Sequence, residues 1–279
     1  MRLVTFRDPH SAIRVGRLDD GERVVELAAP SMLDWLRGDG HEPTGRDHAL
    51  ADVALLAPLL TPPSVRDFFA YEGHVATGFR LAGADEIPEA WYEAPVFYFS
   101  NPASIQGPGQ PVRRPAGSQR LDLELEIGAV IGEDGEIAGY TLLNDWSARD
   151  VQRKEMTVGL GPAKGKDFAT SIGPWLATPD ELTIEDGRIR LEATVTVNGE
   201  VLARCDAAAM HWSWPQLVAH AAKETRLVPG DVLGSGTLHR GCLLELNAER
   251  APEDVRWLEP GDEVVLAAPG LGELRAPIV

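Results

Sequence analysis

"LDLELEIGAVIG", residues 121–132, alternates almost without error. Leu121, Leu123, Leu125 and Ile127 fall on one face of a strand, and Asp122, Glu124 and Glu126 fall on the other. Period 2 sets Glu124 and Glu126 roughly 6.5–7 Å apart along that face. Carboxylates in such a row repel one another. Either a hard divalent cation lies opposite them, or the face is solvated and matched by Arg114 or Arg120. Oxygen-only ligands would suit Mg²⁺, Mn²⁺ or Ca²⁺. This stretch alone leaves both readings open. A glycosidase-type acid pair is disfavoured, because two glutamates on one strand face do not flank a substrate.

Outward from this stretch, strands dominate the chain after residue 96: "VFYFS", "IAGYTLL", "IRLEATVTVNGEVLARC", "DVLGSGT", "CLLELN" and "EVVLAA". "VNGEV" is a hairpin signal. "SWPQLVAHAAKETRLVPGD" reads as an amphipathic helix ended by Pro-Gly. Before residue 61, "RLVTF", "AIRVGRL" and "RVVEL" read as strands, and "SMLDWLRG" and "DHALADVALLAPLL" as helices. "TPPS", residues 61–64, marks a boundary between a small N-terminal α/β unit, 1–61, and a larger unit, 62–279. "VRDFFAYEGHVATGFRLAG" reads as a helix or helix-loop, and the polar, punctuated "GADEIPEAWYEAP" as a mobile segment. No strand–helix alternation recurs, which argues against a doubly wound parallel sheet. The expected class is α+β with a mostly β catalytic domain.

The net charge of −17 argues against nucleic acid and anionic membrane partners, both of which need a basic face. Only 4 of the 26 basic residues are lysines, so each is individually informative. Cys205 and Cys242 form neither a metal spacing nor a disulfide framework, which fits a reducing cytoplasm. The first residues carry scattered charges without the apolar core of a signal peptide, and no stretch approaches the roughly 20 apolar residues of a membrane span.

Further motifs carry chemistry. In "GYTLLNDWSARDVQ", Asp145 ends a strand, where by itself it reads as a helix cap before it reads as a ligand. Arg149 and Gln152 follow on one helical face. "GLGPAKGKDF" fails the Walker spacing, since Asp167 stands where Ser or Thr is needed, and what remains is a glycine-rich loop presenting Lys166. His211, His220 and His239 read as structural or turn residues. His74, by itself, reads the same way.

"LDLELEIGAVIG", "LLNDWSARDVQ", "GPAKGKDF" and "GSGT" followed by "CLLEL" together resemble the fumarylacetoacetate hydrolase family, in the right order and spacing from about residue 62 onward. The resemblance implies that family's mixed β-sandwich roll and one divalent metal, Mg²⁺ first, with Mn²⁺ or Ca²⁺ as alternatives. It places metal ligands at Glu124, Glu126 and Asp145, with a fourth, typical of the hydrolase branch, at Asp67. It makes His74 the catalytic base, Glu245 its carboxylate partner and Lys166 an oxyanion donor. Substrate contacts fall on Arg80, Tyr98, Arg149, Gln152 and Thr237. The implied activity is hydrolysis of a carbon–carbon bond in a 1,3-dicarbonyl acid such as an acylpyruvate, as in aromatic catabolism, by a cytoplasmic homodimer. Relatives decarboxylate oxaloacetate or hydrate and decarboxylate 2-oxo acids, which is the alternative. A catalytically silent metal-binding scaffold is a second, which loss of His74 or Glu245 would have signalled. The chain departs from the pattern at Met156, where a tyrosine is common, and in the shortened turn "TLHRGCLLEL".

Overall fold

The alternation beginning at Leu121 is realised as two pieces rather than one strand. In the computed structural model, which describes residues 1–279, Leu121–Asp122 pairs with Ser147–Ala148, and Leu125–Ile131 enters the main sheet. Between them Glu124 makes only an isolated bridge to Cys242. Every residue from 121 to 132 is buried, so the acid face is not solvated. Neither Arg114 nor Arg120 matches it; Arg120 lies over the Trp257 ring instead.

The main sheet has twelve strands. Its path runs from Pro43–Ala49 through Arg23–Leu27, Ile13–Asp19 and Arg2–Arg7 to Thr170–Ala177. It continues through Ile137–Asp145, Leu125–Ile131, Val232–Gly234 and Val65–Phe68 to Phe97–Ser100 at the other edge. The first strands of the chain therefore extend the same sheet that carries the acids. Pairing is antiparallel except where Val232–Gly234 meets Val65–Phe68 and Thr170–Ala177 meets Ile105–Gln106. A second sheet of four antiparallel strands, Glu200–Asp206, Glu192–Val197, Glu263–Ala268 and Gly272–Pro277, packs against it.

Period 2 sorts the central strand between two cores. Leu125, Ile127, Ala129 and Ile131 join Val195, Val264, Leu266 and Leu274 of the small sheet. Val130 faces the other way, with Leu3, Met32 and Ile172. Burying each such large aliphatic side chain is worth about 1.5–3 kcal/mol, which offsets the cost of enclosing the acids beside them. Glu126 shares the Val130 face, so the acid site occupies one end of that face.

Six helices decorate the sheets: α1 (Met32–Leu36), α2 (Glu72–Leu81), α3 (Glu89–Glu93), α4 (Arg149–Met156), α5 (Trp214–Ala222) and α6 (Leu243–Ala248). α5 starts after Ser213, with Gln216 Oε1 accepting from the Ser213 N–H at 2.9 Å, but it stops at Ala222, before the Pro229-Gly230 expected to end it. The "VNGEV" hairpin also forms, with Asn198 and Gly199 at φ of 52° and 80°.

Three local expectations are corrected. "DHALADVALLAPLL" is not a helix: its start closes the edge strand Pro43–Ala49 on Arg23–Leu27, because available ladder partners outweigh helical spacing. "CLLELN" is helix α6, not a strand; short apolar runs do not distinguish the two. "VRDFFAYEGHVATGFRLAG" opens with the strand Val65–Phe68 before α2. The punctuated segment after α2 forms α3, held by Trp91, which is buried and donates from Nε1 to the Phe69 carbonyl at 2.8 Å. No helix is long and apolar enough to cross a membrane.

Candidate active site

Strands of the main sheet deliver three of the acids. Asp67 lies on Val65–Phe68, Glu126 on Leu125–Ile131 and Asp145 at the end of Ile137–Asp145. One oxygen of each lies within 4.8 Å of the other two, and all three residues are buried. Gly234, on the strand between Asp67 and Glu126, makes the approach possible: a Cβ there would stand 2.4 Å from Asp67 Oδ1 and 2.9 Å from Glu126 Oε2. A glycine inside a strand is the sequence signal for such a close approach.

Glu124 takes a different set of partners. It accepts from Arg149 at 2.6 Å and from the Lys166 ammonium, which also bonds Asp145. The backbone of Glu124 is fixed in turn, its N–H donating to Asn144 Oδ1 at 2.8 Å. Asp122, the first acid of the row, accepts from Arg149 Nε at 2.8 Å and from the Leu243 and Leu244 N–H groups at 2.7 and 3.0 Å. It therefore caps α6, the helix that carries Glu245.

The electrostatics follow from burial and neighbours. Burial, then the facing Asp145, drives the Asp67 carboxyl well above the ordinary aspartate range. Burial and Asp67 do the same to Glu126. Asp145 is also raised by burial, with Lys166 opposing the shift. For Glu124 burial is outweighed by Arg149 and Lys166, which hold its carboxyl low. Burial would lower the Lys166 ammonium, but Asp145 and Glu124 raise it above the usual lysine value. Asp67, Asp122, Glu124, Glu126 and Asp145 face only two fixed cations, Arg149 and Lys166, so enclosed negative charge is left uncompensated. Asp67 Oδ1 and Asp145 Oδ1 are buried without a hydrogen-bond partner. Orphan carboxylate oxygens converging in an all-oxygen set fit a hard divalent cation.

Beside this cluster stands an imidazole–carboxylate pair. His74, in the first turn of α2, donates from Nδ1 to Glu245 Oε2 at 2.9 Å across 171 residues of sequence. Its Nε2 lies 4.0 Å from Glu124 Oε1. With Nδ1 carrying the proton, Nε2 is free to accept one. Burial works against the Glu245 carboxylate, but the His74 hydrogen bond and charge outweigh it and hold the acid below its usual range. Cys242 Sγ is 3.6 Å from Glu245 Oε2 and 4.0 Å from His74 Nδ1. Burial pushes that thiol well above its ordinary value.

The remaining sequence candidates are placed as follows. Tyr98 donates to Asp145 Oδ2 at 2.6 Å, and Gln152 accepts from Arg149 Nη1 at 3.2 Å. Thr237 is buried in the turn after Gly234. Arg80 lies on α2 with its guanidinium 3.5 Å from Thr77 Oγ1, and is not drawn into the cluster. Sequence reading assigns no site role to Asp122, Gly234 or His239, whose Nδ1 lies 2.9 Å from Glu245 Oε1. Nothing local distinguishes the last from a turn residue.

Comparison with known proteins matches the chain along most of its length. Residues 64–279 match the family described as fumarylacetoacetate (FAA) hydrolase C-terminal, and residues 1–58 match one described as Rv2993c-like, N-terminal. Protein Rv2993c of Mycobacterium tuberculosis is 32% identical, over 96% of this chain and 98% of its own. A fumarylacetoacetase of Arabidopsis thaliana is 30% identical over 79% of this chain and 68% of the relative, so this chain spans about two thirds of that enzyme's length. The crystal structure of 5-carboxymethyl-2-hydroxymuconate delta-isomerase from Mycobacterium smegmatis superposes with a TM-score of 0.74 at 31% identity, covering 100% of this chain and 99% of the other.

Proposed function

The chain belongs to the fumarylacetoacetate hydrolase family, and we propose that within it this protein is a metal-dependent hydrolase of acylpyruvate-type 1,3-dicarbonyl acids. The observation that carries the reading is the buried His74–Glu245 pair, 2.9 Å apart, standing beside an all-carboxylate cluster. Glu124, Glu126 and Asp145, with Asp67 as the fourth, would hold the cation, Mg²⁺ first; the convergence of Asp67, Glu126 and Asp145 supports this, while Glu124 would have to share its oxygens with Arg149 and Lys166. When bound, the cation would supply Lewis acidity toward the substrate.

The chain's own groups do the rest. His74 Nε2 takes a proton from water, and Glu245 fixes the tautomer and stabilises the imidazolium. The water oxygen joins the acyl carbon, and Lys166 donates to the oxyanion that develops there. The carbon–carbon bond then breaks, and the proton held by His74 goes to the departing carbon. Arg149 already spends its nitrogens on Asp122, Glu124 and Gln152, which leaves Arg80 as the better clamp for a substrate carboxylate. Tyr98 orients Asp145, and Thr237 would contact the substrate. We place the enzyme in the cytoplasm as a homodimer serving aromatic catabolism; sedimentation at a monomer mass would contradict the dimer.

The test is a panel of acetylpyruvate, fumarylpyruvate and oxaloacetate, followed at the enol absorbance with and without chelator, in wild type, His74→Ala and Glu245→Gln. Diketo acid cleavage that needs metal and collapses in both variants is expected. Faster oxaloacetate decarboxylation, indifferent to His74, would replace the hydrolase with a decarboxylase. A second reading rests on the isomerase relative that spans the whole chain. Proton transfer between carbons of a hydroxymuconate would use the same His74 base but no attacking water, so 5-carboxymethyl-2-hydroxymuconate belongs in the panel.

A further inference from the structure

We infer that His239 is a positioning residue that completes a His74–Glu245–His239 relay. The inference rests on the hydrolase reading for its kinetic consequence, but its geometry stands alone. The two oxygens of Glu245 are divided between two histidines: Oε2 accepts from His74 Nδ1 and Oε1 from His239 Nδ1, each at 2.9 Å. The Arg240 N–H adds a third bond to Oε2 at 2.9 Å. A carboxylate gripped at both oxygens cannot rotate about its terminal torsion. The direction in which it presents Oε2 to His74 is thereby set.

Two features of the chain are built around this contact. The His239 ring lies against the first turn of α2, where Gly73 leaves room for it: a Cβ on Gly73 would stand 2.7 Å from both Cγ and Nδ1 of His239. Gly73 itself has no positive φ, so nothing in its backbone demands glycine. The space does. Second, the turn "LHRG" puts Arg240 at φ 66°, a strained conformation for a residue with a side chain, costing about 1 kcal/mol or more. That strain is what turns the Arg240 N–H and the His239 ring toward the same carboxylate. The short turn of the sequence therefore supplies a second imidazole to Glu245. His239 is half exposed and meets neither the acid cluster nor Lys166, so it acts only through Glu245.

The contact is approached from both sides with acetylpyruvate as the probe substrate in Mg²⁺. His239→Ala removes the donor. Gly73→Ala leaves His239 in the chain but expels its ring, while favouring helix α2. Both are expected to lower kcat roughly tenfold or more, as loss of an orienting partner does elsewhere, with KM and metal stoichiometry unchanged. His239→Asn, whose amide can stand near the Nδ1 position, should restore most of the rate. In imidazole ¹⁵N spectra the His74 Nδ1 proton should lose exchange protection in His239→Ala and Gly73→Ala. Wild-type kcat in both alanine variants, or an equal loss in His239→Asn, overturns the relay. If wild type leaves acetylpyruvate intact, the hydrolase reading falls and the spectra alone decide: an unchanged His74 Nδ1 proton in His239→Ala sinks the inference.

Discussion

Asp67→Asn should make the metal-free protein more stable and at the same time blind to metal. In the native cluster Asp67 offers an oxygen within 4.8 Å of oxygens on both Glu126 and Asp145. Two unit charges at that separation repel by about 3.5 kcal/mol at an effective dielectric of 20. A proton shared in the cluster relieves part of this; the Asp67 carboxyl is pushed upward by burial and Asp145, and the Glu126 carboxyl by burial and Asp67. The asparagine amide removes one charge and donates to a neighbouring carboxylate, so a net gain of about 1–3 kcal/mol in EDTA is expected. For a chain of this size that amounts to a rise of roughly 2–10 °C in Tm. The sign depends on pH. An acid whose folded pKa is raised destabilises the fold only above its unfolded value of 3.8, and more so as pH rises through the folded value. The advantage of the variant should therefore be largest at neutral pH and vanish toward pH 4. The counterpart is ligand linkage: metal at a hundred times its Kd should add about 2.7 kcal/mol to wild type and nearly nothing to the variant. Scanning calorimetry in EDTA and in Mn²⁺, across pH, reads both effects. An Asp67→Asn protein that melts below wild type in EDTA at neutral pH, or gains as much from Mn²⁺, refutes the repulsion argument.

Three further outcomes follow from particular contacts. Asp122→Ala leaves Arg149 to Glu124 and Gln152 and uncaps α6, so denaturant unfolding should show a loss of about 1–3 kcal/mol; no measurable loss would mean the cap is dispensable. Gly234→Ala should keep the fold but abolish the Mn²⁺-induced rise in Tm, because its Cβ would occupy space 2.4 Å from Asp67 Oδ1; an undiminished rise contradicts the cradle. Trp91→Ala should speed hydrogen exchange over residues 83–96, since that ring alone buries α3; unchanged exchange there would place the anchor elsewhere.

Much of the catalytic half is legible in the amino-acid sequence alone. The alternation at 121–132 sorts core from acid face, because side-chain direction in a strand has a period of two whatever the strand pairs with. Leu121, Leu123, Leu125 and Ile127 indeed share one core. The Asn198–Gly199 turn and the existence of the amphipathic helix α5 are equally readable, since each rests on chemistry within a few residues. Motif order points to the family. Tertiary structure decides what lies across the chain: that the row of acids is split by a break after Asp122, that Asp122 serves α6 while Glu126 meets Asp67, and that Glu124 is claimed by Arg149 and Lys166. It also turns "CLLELN" into a helix and raises His239 from a turn residue to a partner of Glu245. The physical reason is common to all of these. A buried charge takes whichever counter-charge or N–H shares its low-dielectric volume, and that volume is assembled from strands and helices up to 171 residues apart, about which local periodicity carries no information.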